Sequence, residues 1–421
     1  MEKFSFKNYF YQTTIRVLIT IFFLFIWKFS IFAQHVLKPF PQHYKYYWGS
    51  IKPNNISQNE MDITVVNFYF QWKKRFVKSQ KYKHESYIWF EGVGGKQSVS
   101  EAQGYGMIIT ALMAGADSNA KNTFDDLYRY YKSYPDKKCK YLMAWAQFTN
   151  GKSDDATSAS DGDLDIAYSL ILADKQWGSS GSINYLNAAK NMLNAIMKYE
   201  INPKTFTVML CDGIEPESKD YYATRSSDFM PSHFKAFKQV THDNRWDKVI
   251  NANYHLFMKM QRIYSEDAGL IPDFIIHLNK KPMPAKSNFL ESVYDGSYNY
   301  NACRLPWRIA MDYLLNGDQQ SKDIVNKINK WVKETTSTNP YNLSAGYTLA
   351  GNDIKGRYFE ALSFIAPFTV SAMVDKNNQY WLNSLWNYLT NFKIKDYDYY
   401  DNTIKMLNLI IISGNYWDIK R

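Results

Sequence analysis

The sequence predicts an all-α domain of about twelve helices, built as helical hairpins that close into a ring, and three observations carry that expectation. Apolar residues recur at spacings of three and four from about residue 60 onward, which is the helical period. Stretches rich in Gly, Pro, Asp, Ser and Asn interrupt this pattern at 91–97, 151–158, 211–227 and 272–299. Short connections alternate with these long ones, so the long ones are expected to gather on one face as a binding surface. No composition shift and no fixed-period repeat marks a second domain or a solenoid.

Taken in order, residues 1–33 read as an address rather than as fold. Lys3, Lys7 and Arg16 precede an apolar run from Val17 to Trp27, and Ala33 supplies a small residue before Gln34 at a cleavage site. Lys28 ends the run well short of the ~20 residues a membrane span needs. A signal peptide over 1–33 and a secreted or periplasmic protein over 34–421 are therefore expected, with an uncleaved anchor as the alternative. The first helical face is Met61, Val65, Phe68, Trp72 and Phe76. Tyr105, Ile108, Ile109 and Leu112 form a second, and Phe124, Leu127 and Tyr131 a third. Further helices are predicted near 163–175, 182–199, 231–241, 246–264, 305–316, 319–334, 356–374, 378–391 and 399–413.

Composition narrows the function. With 46% hydrophobic residues over 421 positions, the chain buries a sizeable core, which excludes disorder. The net charge of +10, or +7 without residues 1–33, is moderate and unclustered, so no nucleic-acid partner is expected. The 34 Tyr, 26 Phe and 12 Trp exceed what a core commonly needs, and flat rings lining a groove suit sugars. Cys139, Cys211 and Cys303 allow at most one intramolecular disulfide. Neither they nor His233, His242, His255 and His277 have metal-ligand spacing, so no metal and no organic cofactor is expected.

Two helix starts concentrate carboxylates. In Ser98-Val99-Ser100-Glu101-Ala102-Gln103-Gly104-Tyr105-Gly106-Met107, Ser98 and Glu101 have the spacing of a capping box, as do Ser100 and Gln103. A catalytic acid at Glu101 is the competing reading. Asp161, Asp163 and Asp165 put three acids in five residues at the second start, which goes beyond what a helix macrodipole requires. Such a cluster can stabilise a cation-like species or raise a neighbouring carboxyl pKa.

The segment from Ala159 to Ala173, followed by Trp177, resembles the signature of glycoside hydrolase family 8 at every fixed position. The resemblance extends to 100–107, to Thr224-Arg225-Ser226-Ser227-Asp228, and to 300–309, and runs from Lys38 to near Trp417. It implies an (α/α)6 barrel and inverting hydrolysis of β-1,4-linked polysaccharides by a monomeric catalytic domain over 34–421. Cellulases, xylanases, chitosanases and β-1,3-1,4-glucanases all occur in that family. Carried over by motif, Glu101 is the general acid and Asp161 sits at the sugar before the scissile bond. Tyr105, Trp145, Asp163, Arg225, Asp228, Tyr298, Tyr300, Asn301 and Arg304 are the expected substrate-binding residues. Trp177 and Trp307, inside helical patterns, are expected to pack.

Two departures bear on mechanism. Many family members have an Asp general base where this chain has Asn301, and an amide cannot take a proton from water. The subgroup resembling chitosanases and mixed-linkage glucanases draws its base from a preceding loop, which makes Glu291 the expected base and Asp295 its rival. The second departure is Cys211-Asp212-Gly213-Ile214, which lacks the Trp that similar chitosanases carry after the Asp. The expectation is an endo-acting hydrolase of chitosan, mixed-linkage glucan or cellulose. An endoxylanase and a glycan-binding protein that has lost catalysis are the alternatives.

Overall fold

The computed structural model describes residues 36–80, 83–354, 361–396 and 398–420. The leader expected over 1–33 and the first residues of the helix expected at 356–374 lie outside them. From Lys38 onward the chain forms one unit.

Among the described residues there are twelve α-helices: α1 Gln58–Phe76, α2 Ser100–Leu112, α3 Ala120–Ser133, α4 Ser160–Trp177, α5 Tyr185–Tyr199, α6 Pro231–Thr241, α7 Arg245–Tyr264, α8 Leu305–Asn316, α9 Gln319–Thr336, α10 Leu362–Ala372, α11 Gln379–Asn391 and α12 Tyr399–Ile412. The even-numbered helices form an inner ring in which each packs on the next and α12 returns to α2. Each odd-numbered helix packs outside an inner one, α1 on α12, α3 on α2, and so round the ring. The result is an (α/α)6 toroid, as the family resemblance implies, with no closed sheet among the described residues.

Burial explains the two layers. All eleven residues of α10 are buried, as is nearly every residue of α4 and α12, which suits helices enclosed on all sides. Outer helices keep one apolar stripe: α9 buries Ile324, Val325, Ile328, Trp331 and Val332 at helical spacing and leaves its other face wet. Each such aliphatic side chain contributes about 1.5–3 kcal/mol when fully buried.

Three small antiparallel sheets sit in the long connections, and the sequence did not announce them. They pair β1 Val77–Gln80 with β2 Glu85–Ile88, then β3 Lys96–Val99 with β4 Ala146–Phe148 and β5 Ser153–Asp154. The third joins β6 Thr224–Arg225, β7 Phe274–Ile276 and β8 Met283–Pro284. Strands of two to four residues are too short for alternation to register.

Residues 38–51 form a strap across the end of the toroid where the inner helices finish. Its backbone N–H groups donate to the carbonyls of Ala114 beyond α2, Gly414 beyond α12, Leu314 in the last turn of α8 and Met373 at the end of α10. Lys38 adds a bond to Gln176 in α4. Carbonyls that a helix terminus leaves without partners are thus satisfied by one extended segment. Asn415 locks the strap from the other end of the chain, its side-chain oxygen accepting from the N–H groups of Gln42 (2.8 Å) and His43 (3.2 Å).

Candidate active site

The opposite end of the toroid, where the inner helices begin, carries a cleft of about 390 Å³. Its walls include Glu101, Trp145, Asp161, Arg225, Glu291 and Asn301, all expected from the sequence. Helices α2 and α4 both start there with Val99 and Ala159 at their N-caps and no side-chain capping bond. The capping-box reading of Glu101 therefore fails. Gln103 likewise turns away from its expected cap, donating to the carbonyls of Ser86 and Leu127.

Two glycines bring the carboxylates together. A Cβ on Gly104 would stand 2.7 Å from Cβ of Asp165, and one on Gly162 would stand 2.3 Å from Oγ of Ser100. Without side chains there, α2 and α4 approach closely enough to set Glu101 beside Asp161. Strand pairing of Val99 with Ala146, and the Ser100 N–H bonded to the Trp145 carbonyl at 2.9 Å, fix Trp145 on the same wall.

The three acids at the start of α4 point in different directions. Asp161 and Asp165, one turn apart, face Arg304 and Arg308, which are also one turn apart on the chain. Arg304, with 1% of its side chain exposed, donates through Nη1 to Glu101 (2.6 Å), Asp161 (3.1 Å) and the Tyr105 hydroxyl (3.1 Å). Arg308 grips Asp165 with two bonds, 2.9 and 2.6 Å, below the cleft. Asp163, two residues on, points the other way: it accepts from the Met143 N–H at 3.0 Å and meets Glu200.

These partners split the acidities. Burial pushes Glu101 up to about 7, with Arg304 pulling against it and the Asp161 charge adding to it. Asp161 is also buried, but Arg225 and Arg304 together hold its carboxyl below the usual range. Of two adjacent carboxyls, one keeps its proton to neutrality and the other is ionised, the division a proton donor beside a charge stabiliser needs. Asp165 is held at about 2, burial being outweighed by Arg308. Glu200 is raised to about 8, chiefly by burial, although Ser158 donates to it at 2.6 Å.

In the same lining, Glu291 has a side chain 46% exposed. Asn301 donates its amide to Glu291 Oε2 at 2.8 Å, while its own side-chain oxygen accepts from Arg304 at 2.9 Å. That second bond fixes which way the amide faces. The turn carrying Asn301 is held by Asp273, whose carboxylate accepts from the N–H groups of Asn299 and Ala302. Arg225 lies 3.9 Å from Glu291 and 3.2 Å from Asp161.

Several sequence-derived candidates stand elsewhere. Tyr105 is fully buried under the cleft, where its hydroxyl receives Arg304 and Arg308 instead of a sugar. Tyr298 is a core residue packed on Phe364, Phe368 and Tyr347. Asp163 is buried on the far side of α4, and Asp228 is buried holding the Arg225 guanidinium at 3.0 Å. The rival base Asp295 has no exposed surface; it accepts from the N–H groups of Leu290, Glu291 and Ser292 and so shapes the turn that presents Glu291. Tyr300 and Arg304 do line the cleft.

The sequence reading missed Tyr399, whose hydroxyl donates to Glu101 Oε1 at 3.2 Å, and Tyr400, which bonds the Tyr300 carbonyl. Both open α12, next to Asp398 and Asp401, an acid-rich helix start like the other two. Among the described residues no group of three or more His, Cys, Asp or Glu is arranged for a metal, the three cysteines are free, and no helix is long and apolar enough to cross a membrane.

A helical toroid whose cleft sets a protonated carboxyl against an ionised one, with a third carboxylate in the same lining, has the makings of a glycoside hydrolase. Comparison with known proteins gives the family. The chain belongs to the glycosyl hydrolases family 8, which it matches over residues 53–414. It is 45% identical to a β-glucanase of Niallia circulans over 90% of this chain and 91% of that one. It is 39% identical to an endoglucanase of Bacillus sp. (strain KSM-330) over 90% and 82%. The solved structure of a β-1,3-1,4-glucanase from Paenibacillus sp. X4 superposes with a TM-score of 0.87 at 44% identity, covering 92% of this chain and all of that one.

Proposed function

We propose that the protein is a secreted, endo-acting, inverting hydrolase of β-1,4 linkages in a glucan, with mixed-linkage β-glucan as its substrate. The observation that carries this reading is the pair Glu101 and Asp161, one carboxyl raised to about 7 and its neighbour held ionised by two arginines. Glu101 gives its proton to the glycosidic oxygen as the C–O bond breaks. Glu291 takes a proton from the water that attacks the anomeric carbon from the opposite face, and Asn301 orients Glu291 by the bond to Oε2. Asp161 stabilises the positive charge that develops on the sugar ring.

The names of the similar β-glucanases and endoglucanase support the substrate class. The cleft lining sets Glu91, Glu101, Asp161, Glu291 and Asp398 against Arg225 and Arg304, an acidic balance that does not itself turn away polycationic chitosan, so the choice of a neutral glucan rests on the similar glucanases. The basic and then apolar start of the sequence supports export. Reducing-sugar release from lichenan, carboxymethyl cellulose, chitosan and xylan tests the reading, with proton NMR of the first product reporting its anomeric configuration. Fastest release from lichenan with an inverted product is expected. Release from chitosan or xylan alone would reject the substrate, and no release at all would favour a binding protein.

A further inference from the structure

A second concave site lies away from the cleft, on the outer wall between α3 and α5. Its cavity of about 220 Å³ has Tyr128 and Tyr131 of α3 on one side with Tyr141 of the following loop, and Asn184, Asn187 and Asn191 on the other. The spacings explain the two walls. Residues 128 and 131 are one turn apart on α3, and 184, 187 and 191 follow one face of α5 from its N-cap. The helices are tied at one end by Tyr185, whose hydroxyl donates to Asp125 and whose ring packs on Phe124.

Much of this lining is ordered by the protein, and the rest is left free. The Tyr131 hydroxyl donates to the Tyr141 carbonyl at 2.8 Å, which seats the loop, and Asn184 is occupied in capping α5. Lys132 rests its ammonium over the rings of Tyr131 (5.2 Å) and Tyr141 (5.8 Å). By contrast, the hydroxyls of Tyr128 and Tyr141 and the side-chain amides of Asn187 and Asn191 have no hydrogen-bond partner among the described residues. No carboxylate lines the cavity, and its one charged side chain, Lys132, is the one laid over the two tyrosine rings. Flat rings facing uncharged donors and acceptors are what a neutral polyol needs: the rings cover its C–H faces, while amides pair with its hydroxyls.

We propose that this groove is a non-catalytic binding site for a neutral β-glucan chain, holding to the protein the polymer that the cleft cleaves. It rests on the substrate reading above for the identity of the polymer, not for the existence of the site. Two chain-binding surfaces on one toroid raise the local concentration of polymer at the cleft without a new catalytic contact.

Native electrophoresis of the full chain through gels containing mixed-linkage β-glucan tests this, in a Glu101→Gln background so that the polymer survives. Tyr141→Ala, and separately Asn187→Ala with Asn191→Ala, are expected to weaken retardation by about two- to tenfold, the range of a lost ring or amide contact. In the active background the same changes should leave kcat/KM on a short cello-oligosaccharide unchanged while slowing attack on the polymer. Asn187 is exposed on α5 and alanine favours the helix, so the double variant decides the matter if Tyr141→Ala fails to fold. Undiminished retardation of both variants overturns the proposal. Failure of the wild-type enzyme to cleave β-glucan overturns the substrate reading instead, and the gel still reports on the groove.

Discussion

Asn301 donates its side-chain amide to Glu291 at 2.8 Å, and Arg304 holds the other end of that amide so that it faces no other way. In the proposed mechanism, a residue unable to act as a base thus becomes the group that aims one. Glu291→Gln should lower hydrolysis by about 10²–10⁴-fold in initial-rate assays. Azide should restore part of the rate to Glu291→Ala, and adding Asn301→Asp to that variant should restore part of it as well. A Glu291→Gln enzyme within a few-fold of wild type would end its assignment as base.

Glu101 must carry a proton to serve as acid, and its carboxyl is raised to about 7. The rate should therefore fall as pH climbs through about 7. Glu101→Gln should fold normally, since no capping bond is lost, and run about 10²–10⁴-fold slower. Asp161→Asn removes the negative neighbour, so Glu101 should release its proton at lower pH and the alkaline limb of kcat/KM should move down. An alkaline limb that stays in place would show that the two carboxyls do not sense each other.

Arg308→Met leaves the Asp165 carboxyl buried without its two bonds, a loss of about 3–5 kcal/mol in chemical denaturation at neutral pH. The sign follows from the acidity: Asp165 titrates near 2 when folded and near ~3.9 when unfolded. Its contribution is present above about pH 4 and disappears as pH falls toward 2. The gap between wild type and variant should close over that interval. A gap independent of pH would assign the loss to packing.

Glu200 works in the reverse sense. Its folded acidity near 8 lies above the ~4.3 of an unfolded glutamate, so stability falls as pH rises between those values. Glu200→Gln should flatten that slope, because an amide does not ionise. Melting temperatures at pH 5 and pH 8 measure it, and equal slopes in both proteins would show that Glu200 does not ionise over that interval.

What the sequence made legible depended on distance along the chain. Helices at 231–241 and 305–316 were readable to the residue, because a buried stripe repeats within each. Glu101 and Asp161 were readable as chemistry through a local motif, but Glu101 shares its spacing with a capping box, and only the Arg304 bond separates the two meanings. Asp161, Asp163 and Asp165 looked like one acidic cluster and serve three environments, since a helix turns 200° between alternate residues. Tyr105, Tyr298 and Tyr300 are alike as aromatics, and nothing within their segments says which ring meets solvent. Tyr399 was unreadable for a plainer reason: it reaches Glu101 from 298 residues away.

The strap over 38–51 and its bond to Asn415 have a consequence for biogenesis. Helix α12 must sit between α10 and α2, and the strap takes up the carbonyls of Leu314, Met373 and Gly414, which a ribosome makes long after the strap itself. A nascent chain therefore holds the strap without these partners until residue 414 has emerged. The toroid cannot be completed from front to back; it waits on α12 to shut the circle, and the hydroxyl that touches Glu101 arrives with it.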